Sequence, residues 1–492
     1  MNRWLCTAAV LVFAGACDVA RDAAAPAGLD PAALRDPALV ALLATADETD
    51  ELIVLVNFDE RRTSRDAVTN AILDMGAGVV QFHNFSIVAA LATPAQIARI
   101  TELEGLEGAG VYANKQVQYH LLREGVRSIR ADAVHTAGIT GKGMGIAILD
   151  SGIDGLYNPD VKFPEFTVQN IKIAFNQRDV FTFRGNAPKP IKKGAELFVE
   201  DLPNSETSVG HGTHVAGIAA GRGTASNGYY TGVAPGASLV GIGAGDILFI
   251  FWILSGFDYI LDNAEQYNIK VVNNSWGSGG PFDPDDPINE ATREVHARGI
   301  TVVFSAGNDG PGENTLNTYS VAPWVIGVAA GCKLGPDPTN SQNQCMRDDG
   351  SNPLEPTDNE PREHVLADFS SRGIPGDPQY HPDVTAPGVR IVSARASTGT
   401  VINALDVNRD LRLCAISIEN EPFYTCASGT SMSAPHVSGV VALMQEAAGG
   451  TLTPDQVLRI LTSTAQPLAG YAVWEVGAGY VDALAAVEQA KR

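Results

Sequence analysis

The sequence predicts an α/β protein with a central parallel sheet and helices on both faces, three layers in all. A small α+β unit precedes it. Three observations carry this. From about residue 125, short apolar runs alternate with helical stretches, as parallel strands joined by helical crossovers do. Before that, residues 47–120 read β-α-β-β-α-β, a split βαβ (ferredoxin-like) order. The chain has 492 residues, 45% hydrophobic and 18% charged, enough apolar material for a large core.

In the leading unit, ELIVLVNF (51–58) is a strand and Ser64 to Met75 suits a helix. VVQFHNFSIVAALAT (79–93) holds two strands with a turn near His83-Asn84. Pro94 opens a second helix to Leu103, proline being tolerated in a first turn. GAGVYA (108–113) returns as a strand. In the larger unit, GIAILD (145–150), ASLVGIG (237–243), KVVNNS (270–275), ITVVFSAG (300–307) and WVIGVAAG (324–331) are apolar runs bounded by turn signals. Ile253 to Gln266 and Pro287 to Arg298 are helical in pattern. Segments 161–209, 332–366 and 397–425 lack this regularity and read as surface insertions. The octet ILFIFWIL (247–254) is too short to span a bilayer. It reads as the buried start of a helix to Leu261; an apolar cleft wall is the other reading.

Acidic residues number 56 against 34 basic, a formal charge of -22. That balance argues against nucleic acid, whose binding needs basic patches. Residues 1–16 have the layout of an export signal, with Arg3 before an apolar run and Ala14-Gly15-Ala16 at the cut. Cleavage before Cys17 is also the pattern of lipid attachment at that cysteine. Residues 17–46, rich in Ala, Pro and Asp, read as a tether. With Cys6 removed and Cys17 lipidated, Cys332, Cys345, Cys414 and Cys426 remain as two local pairs, 13 and 12 positions apart. In an oxidising compartment they pair 332–345 and 414–426; four free thiols are the alternative.

Three segments carry chemistry. Asp150 ends an apolar strand and meets Ser151-Gly152. His211 opens the small-residue helix HGTHVAG (211–217). Ser431, in GTSMSAPH (429–436), starts a helix running to about Ala447. A serine hydroxyl needs an imidazole to take its proton, and the imidazole needs a carboxylate to fix its tautomer. A helix N-terminus under Ser431 aims backbone N–H groups at developing negative charge. Asn308, in SAGNDG (305–310), has an amide suited to a second oxyanion hydrogen bond. Singly, each residue reads as a turn former, an inert His-Gly or an N-cap. His214 and His436 lie inside helices and read as packing. The His211–His214 pair lacks the context of a zinc site.

Together these motifs closely resemble the subtilases, subtilisin-like serine endopeptidases, over roughly residues 119–492. GVAPGA (232–237), ADFSSRG (367–373) and PDVTAPG (382–388) extend the match. The resemblance implies a subtilisin-like three-layer fold and an acyl-enzyme mechanism. Asp150 would orient His211, the general base and acid, and Ser431 would be the nucleophile. The Ser431 N–H and the Asn308 amide would form the oxyanion hole. Substrate would lie as an added strand against residues near Ile247-Leu248 and Ser275-Trp276-Gly277. Ser305-Ala306-Gly307 would wall the first specificity pocket, and Ile247 to Ile250 with Trp276 would make a distal pocket large and apolar; a Trp276 that is simply core is the other reading.

By the same resemblance, residues 47–118 are an inhibitory propeptide and 119–492 the peptidase, with self-cleavage near Gln118 and the tail Ala113 to Leu121 lying in the cleft. The protein would be exported, to the exterior or the periplasm, and held at the membrane only through a lipid on Cys17. Maturation would then release it. Its partners would be polypeptide substrates and its own propeptide, and it would act as a monomer. The chemistry needs no cofactor. The family allows a structural calcium: Asp160 matches a ligand position, whereas Ser226 to Tyr230 departs from the family's loop and Asp283, Asp285 and Asp286 read equally as a solvated turn. Two other readings stand beside this one. A pseudoprotease scaffold is disfavoured by the intact Asp150, His211, Asn308 and Ser431, and an acid-acting sedolisin relative by His211 and Asn308.

Overall fold

A computed structural model describes residues 36–103, 106, 110–114, 116–119, 125–173, 197–245, 248–332, 365–399, 401–403 and 416–492. The leading unit holds α1 (Pro37–Thr45), β1 (Leu52–Asn57), α2 (Arg65–Asp74), β2 (Gly78–Gln81), β3 (Ile87–Ala92), α3 (Pro94–Thr101) and β4 (Val111–Ala113). Its strands form one antiparallel sheet in the order β2-β3-β1-β4. Side-chain caps set the helix starts. Ser64 accepts from Ala67 N, and Thr93 with Gln96 forms a reciprocal capping box. The stretch read as a tether ends instead in α1, whose Leu39 and Leu43 are buried in this unit's core. Composition hid it because alanine and proline also suit a short proline-started helix capped by Asp36.

After β5 (Gln116–Tyr119) and α4 (Ala131–Thr136), the main unit is built on β6 (Gly145–Asp150), β7 (Thr167–Ile173), β8 (Phe198–Val199) and β9 (Ser238–Gly243). Helix α5 (His211–Ala220) precedes β9, and β10 (Leu248–Phe249) leads into α6 (Ile250–Asn263). Then come β11 (Ile269–Asn274), β12 (Trp276–Gly277), α7 (Pro287–Ala297), β13 (Thr301–Ser305), β14 (Ile326–Gly331), β15 (Val384–Pro387), β16 (Ile391–Ala394), β17 (Tyr424–Ala427) and α8 (Thr430–Ala447). The central sheet runs β15-β14-β13-β11-β6-β9-β7-β8, parallel except for β8.

Side chains alternate between the two faces of this sheet. Ile146, Ile148, Val271 and Val303 join the core that also holds α5 and α8. Ala147, Leu149, Val272, Val302 and Phe304 join the core under α6 and α7. Both faces are covered, so the strands read as unbroken apolar runs. The insertion expected over 161–209 contains a sheet strand, β7. Its polar Gln169 and Asn170 are buried and internally bonded, Asn170 Nδ2 donating to the carbonyls of Ile153 and Leu202. Polar side chains satisfied by loops removed the apolar signature of a strand.

The leading unit sits on α6 and the start of α7. Asp258, buried in α6, accepts from His83 N at 3.2 Å, Asn84 N at 2.8 Å and Asn84 Nδ2 at 2.8 Å. Burial raises its pKa, and those donors oppose the shift. Asn114 caps the first turn of α6 by accepting from Phe251 N at 2.8 Å. Among the described residues no helix is long and apolar enough to cross a membrane.

Arg372 and Glu475 form a buried ion pair at 2.7 Å, with side chains 7% and 13% exposed. Removing one partner strands the other charge, so Glu475→Ala should cost about 3–5 kcal/mol. The paired change Arg372→Met with Glu475→Leu should cost far less. Urea unfolding of both variants checks this; equal losses would refute it.

Candidate active site

Asp150 sits at the carboxyl end of β6, where open parallel sheets place their sites. His211 is the first residue of α5, and both side chains are fully buried. His211 Nδ1 lies 2.7 Å from Asp150 Oδ1. The same carboxylate oxygen accepts from Ser151 N at 2.8 Å. Gly210, which precedes the helix, has φ 75. Glycine suits that left-handed turn and also a close neighbour, because an added Cβ would lie 2.6 Å from Gly399 Cα.

Ser431 is the second residue of α8, a helix buried along nearly its whole length that packs against α5. Its hydroxyl donates to Ser275 O at 2.7 Å. Pro435 stands inside this helix and has no N–H to give the Ser431 carbonyl. The Ser275 hydroxyl supplies that bond instead, at 2.8 Å. Ser275 is itself fixed by Asn273 Nδ2 at 2.8 Å. Asn308 is oriented by Thr430: the Asn308 carboxamide oxygen accepts from Thr430 N at 3.0 Å and Thr430 Oγ1 at 2.9 Å. Its oxygen being held, the Asn308 NH2 group is the end left for a ligand. Gly307 N donates to Thr430 Oγ1 at 3.1 Å.

β5 runs antiparallel between two edge segments. Gln116 and Val117 pair with Phe249 and Leu248, and Gln118 and Tyr119 pair with Gly277 and Trp276. The chain after the leading unit therefore occupies the two edges expected to receive an extended peptide. Ser275, which binds Ser431, directly precedes the Trp276 that pairs with Tyr119.

The pocket walls differ from expectation. The Trp276 side chain is fully buried, donates to Leu149 O at 2.8 Å and meets Phe304 edge-on at 5.0 Å. It is core, because the alternation along β12 turns its indole into the sheet. Leu248 and Ile250 are fully buried too, and the helix starts only at Ile250 because Leu248 and Phe249 are committed to pairing with β5. Ile247 lies outside the described residues. Ser305 and Ala306 are fully buried, and Gly307 turns at φ 107.

Asn317 was not singled out by any motif. Its amide donates to the carbonyls of Trp276 at 3.1 Å and Ser305 at 2.8 Å, tying one substrate edge to the Ser305 segment. Gly277 must be glycine there, since an added Cβ would lie 2.2 Å from Asn317 Cγ. Thr430 lay within a quoted motif, but only the fold shows what it holds.

Asp160 does not fit a calcium site. Its carboxylate accepts from Tyr424 OH at 2.6 Å and Ala225 N at 3.1 Å, so donors stand where a cation would need acceptors. Asp283 and Asp286 serve turns and contacts: Asp286 caps α7, and Asp283 accepts from Tyr112 OH at 3.2 Å. Among the described residues no group of three or more His, Cys, Asp or Glu side chains is placed to hold a metal. Cys332 and Cys426 are each disulfide-bonded; Cys17, Cys345 and Cys414 lie outside the described residues. His214 sits between two strands, its Nε2 at 3.2 Å from Ile391 O and 3.3 Å from Thr425 O. His436 Nδ1 lies 2.6 Å from Met432 O.

Comparison with known proteins matches residues 141–481 to the family described as the Subtilase family. The serine protease AprX of Bacillus subtilis is 28% identical over 401 residues, which cover 77% of this chain and 74% of that protein. Subtilisin E of Bacillus subtilis is 28% identical over 347 residues, 69% of this chain and 65% of the relative. Among solved structures, fervidolysin from Fervidobacterium pennivorans superposes with a TM-score of 0.59 at 21% identity, covering 90% of this chain and 62% of that one. That likeness is one of fold.

Burial pushes His214 down to about 3 and His436 down to about 4, from 6.5. Between those values the unfolded chain binds protons that the folded chain refuses. The stability tied to these two rings is therefore present above pH 6.5 and lost as the pH falls toward 4. Glu206 and Asp383, pushed up by burial to about 7 and about 6, act in the opposite sense. The difference between variants isolates the rings. Between pH 6.5 and about 4.5, wild type should lose more thermal stability than His436→Gln. Parallel melting curves for the two proteins would contradict this.

Proposed function

The chain belongs to the subtilase family and is a subtilisin-like serine endopeptidase, and we propose that it is made as an exported zymogen that cuts itself through the triad Asp150, His211 and Ser431. The carrying observation is the buried 2.7 Å contact of His211 with Asp150, at the mouth of the helix that packs against the one bearing Ser431. The Ser431 hydroxyl oxygen attacks the substrate carbonyl carbon. Its proton passes to His211 Nε2, and Asp150 stabilises the resulting imidazolium. The oxyanion takes hydrogen bonds from Ser431 N–H and the Asn308 amide. His211 then protonates the leaving amine, and water repeats the cycle in reverse on the ester.

Self-processing is supported by β5. It lies as a peptide strand in the cleft, and its pairing reaches Trp276 through Tyr119. Because Ser431 contacts the residue before Trp276, the bond presented for cleavage falls just after Tyr119, within the range expected around Gln118. The leading unit then stays on Asp258, held through His83 and Asn84, as an inhibitor until it is removed. We assign residues 1–16 to an export signal and Cys17 to lipid attachment. Cys332 with Cys345 and Cys414 with Cys426 are taken as the disulfide pairs.

N-terminal sequencing and intact mass of wild type and Ser431→Ala test this together. Wild type should yield a new N-terminus within one or two residues after Tyr119 and react with a fluorophosphonate. Ser431→Ala should remain uncut and unlabelled. A Ser431→Ala chain that still matures alone would overturn self-processing.

Asn308→Ala removes one oxyanion donor. It should lower kcat by about 10²–10³, the size known for this position's counterpart in subtilisin, with KM nearly unchanged. Steady-state kinetics on a chromogenic peptide checks it; a change confined to KM would rule out the oxyanion role.

A further inference from the structure

A second buried carboxylate lies beside the triad. Helix α5 begins at His211 after a glycine, so no side chain caps it from the usual position. Its first free N–H groups are instead met from elsewhere. Gly212 N donates to Ser151 Oγ at 2.8 Å, and Thr213 N donates to Glu206 Oε2 at 2.9 Å. Glu206 also accepts from Thr213 Oγ1 at 2.6 Å, Thr207 N at 3.0 Å and Gly210 N at 3.3 Å. Ser151 donates its hydroxyl to the same carboxylate. Ser151 is also the residue whose N–H binds Asp150 Oδ1. One carboxylate thus grips both the turn that carries Asp150 and the helix start that carries His211.

We propose that Glu206 is a positioning residue for catalysis, holding His211 against Asp150 and adding a second negative charge that favours the imidazolium. This rests on the triad reading above. A carboxylate with this many donors is excessive for a helix cap alone, where one side-chain oxygen suffices. The titratable groups on the segments it binds are Asp150 at the end of β6, Asp154 on the turn after it, whose N–H bonds Thr213 Oγ1 at 2.9 Å, and His211 and His214 on α5. Burial raises the pKa of Glu206 to about 7, and its donors oppose that shift by favouring the charged form.

Glu206→Gln tests this, in chains with the same mature N-terminus. Glutamine keeps the shape but replaces one acceptor with an NH2 group and removes the charge. We expect kcat to fall by about tenfold or more with KM within about twofold. Loss of the charge should also move the acid limb of kcat/KM lower by about half a pH unit or more. Glu206→Asp, which keeps the charge, should recover the wild-type limb and part of kcat, and it carries the test if the Gln variant does not fold. A fall in melting temperature alone, with limb and kcat unchanged, would overturn the proposal and leave Glu206 a structural cap. Ser431→Ala measured alongside separates the two readings. Activity near the wild-type level there unseats the triad, whereas a Ser431→Ala chain reduced to trace activity beside a fully active Glu206→Gln defeats only the role of Glu206.

Discussion

The hydrogen bond between His211 Nδ1 and Asp150 Oδ1 is made with both side chains out of water. In that setting a carboxylate has few other partners, and its field on the ring is screened little. The bond selects the tautomer with the proton on Nδ1, which leaves Nε2 as a base. Much of the surrounding architecture can be understood as holding these two groups in register. β6 delivers Asp150 at its carboxyl end, and α5 delivers His211 at its first position. Both elements pack into one core with α8, which brings Ser431.

Around that bond the site is tied together by polar side chains acting on backbone. Ser275 holds the Ser431 carbonyl, Thr430 holds the Asn308 carboxamide, and Asn317 joins the Trp276 edge to the Ser305 strand. These contacts are short and buried, so each group leaves its partner unsatisfied if lost. The substrate edges are made from the same segments. Ser275 therefore both supports Ser431 and adjoins the edge on which β5 lies.

Asp150, His211, Asn308 and Ser431 stand out in the sequence because they lie in short stretches of small residues at strand ends and helix starts. Local chemistry was enough there. Five sheet strands are visible there as well, since GIAILD and its counterparts are covered on both faces and each keeps a short apolar run between turn signals. β7 was hidden for the opposite reason: Asn170 and Gln169 are buried, and their hydrogen bonds come from residues distant in the chain. Trp276 was misplaced because a two-residue strand gives no periodicity from which to read its face. Asp160 looked like a cation ligand until Tyr424, 264 positions away, was seen to donate to it. Glu206 and Asn317 carry no motif at all, and only tertiary placement shows what they hold.

Pro435 has a consequence beyond its own helix. By withholding a donor from Ser431 O, it makes a hydroxyl on a separate chain segment part of the helix's bonding scheme. Neither position can drift freely. An amino acid with an N–H at 435 would compete with the Ser275 hydroxyl for one oxygen, and an apolar replacement at 275 would leave that oxygen dry and unanswered. The two positions meet at one carbonyl oxygen, so a change at either alters what the other has to supply.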